Sequence, residues 1–166
     1  AALLPRRSRS AADERFAVFA APEWGIRALA RVLITYQDQP GLETPYEIAS
    51  RWAPAFENDV RAYASHLAER LGVTPHDPIN VHDYAVMRPL VEAIIQHENG
   101  MQPYGAVTIN EGLRLAGVRA PAVAERRALE EARPLGKTRT VKGGRVAAGA
   151  GGVALVSGAI AELAPA

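Results

Sequence analysis

From residue 22 onward, apolar residues recur at helical spacing, and each run ends at proline or glycine. In "APEWGIRALARVLITYQ", Ile26, Leu29, Ala30, Leu33 and Tyr36 share one face, while Arg27 and Arg31 lie on others. Pro22 suits a first helical turn, and Glu23 there complements the helix dipole. "QDQPGLE" breaks the pattern. Thr44-Pro45 then reads as cap and first-turn proline, with Glu47 at the capping-box position of a short helix carrying Tyr46, Ile48, Ala49 and Trp52. Asn58 or Asp59 is expected to cap the next helix, whose stripe is Val60, Tyr63, Leu67 and Leu71, closed by Gly72. "VTPHDPINVHD" is a turn-rich connector with two X-Pro steps. Asp83 is placed at a short turn, and Pro89 at the start of a helix bearing Leu90, Val91, Ile94 and Ile95 and stopped by Gly100. Thr108 to Ala116 forms another short helix, closed by Gly117.

No segment alternates in the manner of a strand, apart from a small hairpin expected around residues 15–20. The predicted fold is all-α. It is a compact bundle of about five short helices over residues 15–118, preceded by a basic flexible lead-in at 1–14. A charged helical spacer at 119–136 follows, and then a basic Gly-rich segment and hydrophobic tail at 137–166. The spacer, "RAPAVAERRALEEAR", sets charges of mixed sign three and four residues apart.

Composition narrows the function classes. The chain has 166 residues, 48% of them hydrophobic and 22% charged, enough for one domain with a core. A net charge of +1 argues against a strong electrostatic nucleic-acid binder. Basic residues at 6–9 and 137–145 would suit a regulator's DNA-binding arm, but no recognition-helix pattern accompanies them, so no specific nucleic acid is expected. There are no cysteines, which removes disulfides, thiolate metal sites and cysteine nucleophiles. Residue 1 is Ala, so a processed chain or a fragment is expected, and no apolar core of a secretory signal follows the basic start. "VAAGAGGVALVSGAIA", residues 146–161, runs without a charge. It falls short of the roughly 20 residues that span a bilayer. Membrane contact through this segment is one expectation; a Gly/Ala-rich tail, or a short helix on a partner chain, is the other.

No strong catalytic motif is present, and no cofactor or metal site is expected. The four histidines (66, 76, 82 and 97) lack zinc-site spacing, and the pairs His76-Asp77 and His82-Asp83 read as turn and cap residues. Carboxylates remain. Glu98 continues the stripe of Val91 and Ile94 into the last turn of its helix. An inward acid at the negative dipole end resists ionisation, which is a route to a general acid. Its bland alternative is a rim residue beside an Asn99-Gly100 C-cap. Glu57 and Asp59 flank a helix start close to Trp52 and Phe56, where acids beside aromatic faces suit a sugar cleft and also suit plain helix capping. Glu23 beside Trp24, in a first helical turn, suits a base or a sugar-binding group better than an acid.

The blocks "RFAVFAAPEWGIRALARVLITYQ", "ASRWAPAFENDVRAYASHLAERLGV" and "LVEAIIQHENGMQPY" together resemble a family of tailed-phage and prophage virion structural proteins, some described as peptidoglycan-degrading. "F-x-V-F-x-x-P-E-x-G-I-R-A" and "R-W-A-P-x-x-E-N-D" also look distantly like the rear half of lysozyme-like glucosaminidase domains. Family members often carry an "NNPGN"-like block upstream of the Phe-x-Val-Phe stretch, and AALLPRRSRSAADE stands there instead. The tail from Gly136 resembles those of some phage lysins, where a Lys-x-Arg-Thr block precedes a holin-like segment.

Two readings follow. In one, a virion- or lysis-associated protein binds peptidoglycan and cleaves a glycosidic bond, with Glu98 or Glu57 as the catalytic acid. Glu23, Trp24, Trp52, Asn58, Asp59, Asn99 and Tyr104 would then bind substrate. In the other, a non-enzymatic virion component acts through contacts with other virion proteins, and Asn58, Asp59, Glu98 and Asn99 are helix caps. Either places the protein in the virion or the host cell envelope.

Overall fold

A computed structural model describes residues 19–52 and 57–134, without the side chains of Glu57 and Asn58. The described residues form helices α1 (Pro22–Asp38), α2 (Pro45–Trp52), α3 (Glu57–Leu71), α4 (Tyr84–Asn99), α5 (Ala106–Ala116) and α6 (Ala122–Glu131), with no strand among them. Helix is the only regular secondary structure among the described residues, as the spacing predicts. The hairpin expected near residues 15–20 and the tail at 146–161 fall largely or wholly outside the described residues. Among the described residues, no helix is long and apolar enough to cross a membrane.

Helix α1 contributes heavily to the core. It buries Ile26, Leu29, Ala30, Val32, Leu33, Ile34 and Tyr36, a wider arc than one amphipathic stripe. Its most extensive partner is α5, while α2 packs on α3, α3 on α4, and α6 on α5. Leu29, Leu33, Leu67, Leu90, Ile94 and Leu113 are wholly buried in one continuous core. Each such side chain contributes about 1.5–3 kcal/mol of transfer free energy relative to exposure. Helix α6 buries little beyond Ala128, and its Arg127 Nε meets Glu131 Oε1 at 3.0 Å across one turn.

The start of α2 follows the capping-box expectation. Glu47 Oε2 accepts from the backbone N–H of Glu43 at 2.9 Å and of Thr44 at 3.0 Å, and Thr44 Oγ1 accepts from the Glu47 N–H at 3.2 Å. The Glu43 amide above all, with the Thr44 hydroxyl, holds the Glu47 carboxyl below its ordinary value. A lowered folded value means the stabilisation is complete above the unfolded carboxylate value and disappears as pH falls through the folded one. Glu47→Ala should therefore cost about 0.5–2 kcal/mol at neutral pH, and urea melts should show the gap to wild type closing in acid. A gap independent of pH would contradict the cap.

Three expected helix starts shift. Helix α4 begins at Tyr84 rather than Pro89, because Asp83 Oδ1 caps the Ala85 N–H at 2.9 Å and the Asp83 carbonyl takes the Met87 N–H at 2.8 Å. Pro89 is carried inside the helix. It forfeits one backbone bond, but the buried residues Met87, Leu90, Val91 and Ile94 lie on both sides of it. Helix α3 is already formed at Glu57, so Asn58 and Asp59 lie inside it rather than at its cap. Helix α5 begins at Ala106 behind Gly105, not at Thr108.

The connector between α3 and α4 is tied down at three points. Tyr46 N–H donates to the Pro75 carbonyl at 2.9 Å, and Ile79 N–H to the Glu43 carbonyl at 2.7 Å. The Gln37 side chain does both jobs at once: its Nε2 donates to the Ile79 carbonyl at 2.9 Å and its Oε1 accepts from the Val81 N–H at 2.7 Å.

Candidate functional site

Where α2, α3 and α4 meet, the fold gathers aromatic and titratable side chains from distant parts of the chain. Trp52, the last residue of α2, is 5% exposed and stands edge-on to Tyr36 at 6.4 Å between ring centres. Its indole N–H donates to Glu98 Oε1 at 3.2 Å. On α3, Tyr63 stacks on His97 at 4.0 Å with the rings 11° from parallel. One turn further along, His66 lies 6.1 Å from the same imidazole.

Two polar atoms in this cluster are unspent. The Tyr63 hydroxyl and His66 Nε2 are buried and find no hydrogen-bond partner among the described residues. Such groups are uncommon in folded proteins, because each forfeits water without replacement. Burial, and then the charge of Glu98, pushes the Tyr63 phenol well above its ordinary value. Tyr63 is therefore a standing O–H donor at any physiological pH.

Glu98 itself differs from expectation. Helical phase points it inward, yet the whole last turn of α4, His97 to Gly100, is exposed. The desolvation on which an inward general acid depends is missing there. The helix stop follows the C-cap reading: Asn99 Nδ2 donates to the Ile95 carbonyl at 2.9 Å, and Gly100 takes φ 70°, a left-handed conformation that costs glycine nothing. The cluster combines a tethered carboxylate at the exposed rim with a buried phenol donor and a buried imidazole nitrogen whose role depends on its tautomer.

The other expected site residues are dispersed. Glu23 and Trp24 belong to the α1–α5 contact: the Glu23 carbonyl lies against Gly112, the Arg27 guanidinium sits 5.8 Å over the Trp24 ring, and Arg27 Nε donates to the Leu115 carbonyl at 3.3 Å. Asp59 is an exposed residue of α3, and the side chains of Glu57 and Asn58 lie outside the described residues. Tyr104 packs half-buried against the core. Its hydroxyl has no partner among the described residues, and burial raises its phenol. Of the histidine-aspartate pairs, Asp83 caps α4 and Asp77 caps the Thr74 N–H at 2.7 Å, while His82 Nε2 lies 2.7 Å from Asp38 Oδ1. No three metal-ligating side chains converge among the described residues. Sequence reading overlooked Tyr63, His66 and His97 as site residues. The signal was available in part, since Tyr63 and His66 are three apart on one helix face.

No family model matches this chain. Over 100 residues it is 38% identical to Protein P5 of Pseudoalteromonas phage PM2, a match that covers 60% of this chain and 61% of that protein. The chain thus spans about three fifths of the length of this curated relative and is similar, over that stretch, to a protein of a bacteriophage.

Proposed function

We propose that the chain is a helical structural component of a bacteriophage particle that works by contact with other virion proteins and cleaves no bond. The observation that carries this reading is the 38% identity to a phage protein over 100 residues, 60% of this chain. The exposure of Glu98 supports it, because the carboxylate lies at the solvent-facing end of α4, where it accepts from the Trp52 indole N–H and is open to polar contact. Mass spectrometry of gradient-purified particles should find the chain at a fixed copy number. Its absence from infectious particles would sink the reading.

Peptidoglycan binding with acid-assisted cleavage is the second reading. It draws on the Trp52 indole N–H, which holds the Glu98 carboxylate, and on the charge of Glu98 felt by the Tyr63 phenol. Membrane contact through residues 146–161, and a place in the host envelope, belong with it. On a peptidoglycan zymogram the first reading expects no clearing. Clearing by the wild type that Glu98→Gln abolishes would instead establish the second.

A further inference from the structure

The chain contains one Asn-Gly pair, Asn99-Gly100, and the fold sets it at the C-terminal end of α4. The other three asparagines precede Asp59, Val81 and Glu111. An asparagine followed by glycine can modify itself. The backbone nitrogen of the glycine attacks the side-chain carbonyl carbon of the asparagine and gives up its proton to solvent. The side-chain nitrogen leaves as ammonia, and a succinimide ring closes. Water then opens the ring at either carbonyl, leaving aspartate or isoaspartate. The balance is one water in and one ammonia out, with no oxidant or reductant. The reaction is favoured where no carbonyl holds the attacking nitrogen and no Cβ shields it.

Gly100 meets both conditions. Gln39, Gly117 and Ala132, the residues that close α1, α5 and α6, each return their backbone N–H to a carbonyl of the last turn. The Gly100 N–H makes no such bond among the described residues. Every residue from His97 to Pro103 is exposed, so water reaches the pair. What holds Asn99 back is its helical backbone and the 2.9 Å bond from its Nδ2 to the Ile95 carbonyl. Both belong to a last turn, and helix ends fray. By contrast, the Val81 N–H after Asn80 is held by Gln37 Oε1 at 2.7 Å, and Asn110-Glu111 lies inside α5. We propose that Asn99-Gly100 is a site of spontaneous deamidation that frees the last turn of α4 from its neighbours as the protein ages. Aspartate cannot donate to the Ile95 carbonyl. Its charge stands beside Glu98 at the negative end of the helix dipole. Isoaspartate also lengthens the main chain by one carbon. The same turn carries the His97 ring stacked on Tyr63 and the Glu98 carboxylate on the Trp52 N–H, so both contacts loosen with it. The inference rests on neither reading of the function.

The test is peptide mapping by mass spectrometry of the full chain, aged at physiological temperature at neutral and at mildly alkaline pH. The side-chain amide of Asn99 should be lost while those of Asn80 and Asn110 remain, and both aspartate and isoaspartate should appear. The loss should be faster at the higher pH, where the glycine nitrogen gives up its proton more readily. In ¹⁵N–¹H spectra the aged protein should show displaced signals for Trp52, Tyr63 and His97. Freshly made Asn99→Asp should show the same, with a melting midpoint lowered by roughly 2–4 °C. An Asn99 that keeps its amide, or loses it no faster than Asn80 or Asn110, would overturn the modification site. Aged protein and Asn99→Asp that both match fresh wild type at Trp52, Tyr63 and His97 would overturn the loosening. If Asn99→Asp fails to fold, the aged wild type decides alone.

Discussion

Gly112→Ala should lower stability by about 1–2 kcal/mol, although alanine is the better helix former by about 1 kcal/mol. At this position α5 crosses α1 so closely that an added Cβ would lie 2.5 Å from Ile26 Cγ2, 2.6 Å from Ile26 Cβ and 3.0 Å from the Glu23 carbonyl oxygen. Neither neighbour can yield. Ile26 is wholly buried, its Cβ is fixed to the backbone of α1, and the third atom is backbone itself. Overpacking of this kind costs typically about 1–3 kcal/mol, which outweighs the propensity gain. Gly112→Val should cost more and separate the two helices. A thermal melt reads the effect directly, since about 1 kcal/mol moves the midpoint of a chain this size by roughly 2–4 °C. An alanine variant that melts at or above wild type would mean that α1 and α5 do not approach this closely.

Trp52 should show a larger loss, and one that divides cleanly between packing and polarity. Trp52→Ala removes a ring that is almost wholly buried at the junction of α2 with the core and should cost about 3–5 kcal/mol. Trp52→Phe keeps most of the ring and deletes only the N–H that reaches Glu98. Because Glu98 is exposed and can turn to water, that bond should contribute no more than about 0.5–1.5 kcal/mol. Phenylalanine should therefore retain most of the stability in a urea melt. If it is as damaging as alanine, the indole–carboxylate link carries weight that its exposure does not account for.

Local signals in the sequence were read well where the partner lay within a turn or two. Thr44-Pro45 with Glu47 marked a helix start because the cap closes over three residues. Gly72, Gly100 and Gly117 marked helix ends because each takes a positive φ immediately after the last turn. Pro89 misled because its local effect was weighed without the core residues on both sides of it. The candidate site was far less legible. Trp52 and Glu98 are 46 positions apart, and nothing in either neighbourhood predicts their meeting. Glu98 shows a further limit of periodicity. Val91 and Ile94 are buried and Glu98 is next in phase, but phase fixes a direction around the helix, not where the neighbouring elements stop.

Gln37 has a consequence for recognising distant kin of this chain. Its one amide group both donates to the Ile79 carbonyl and accepts from the Val81 N–H, standing in for a residue of paired strand. Glutamate would keep the acceptor and set a negative charge against a carbonyl, lysine would keep only the donor, and leucine would leave both backbone groups unmatched. The position therefore admits very few residue types for reasons unrelated to catalysis or capping. A relative too diverged to align through its acidic residues should still show a side-chain amide near the end of its first helix, about 40 residues before a Val- or Ile-bearing connector.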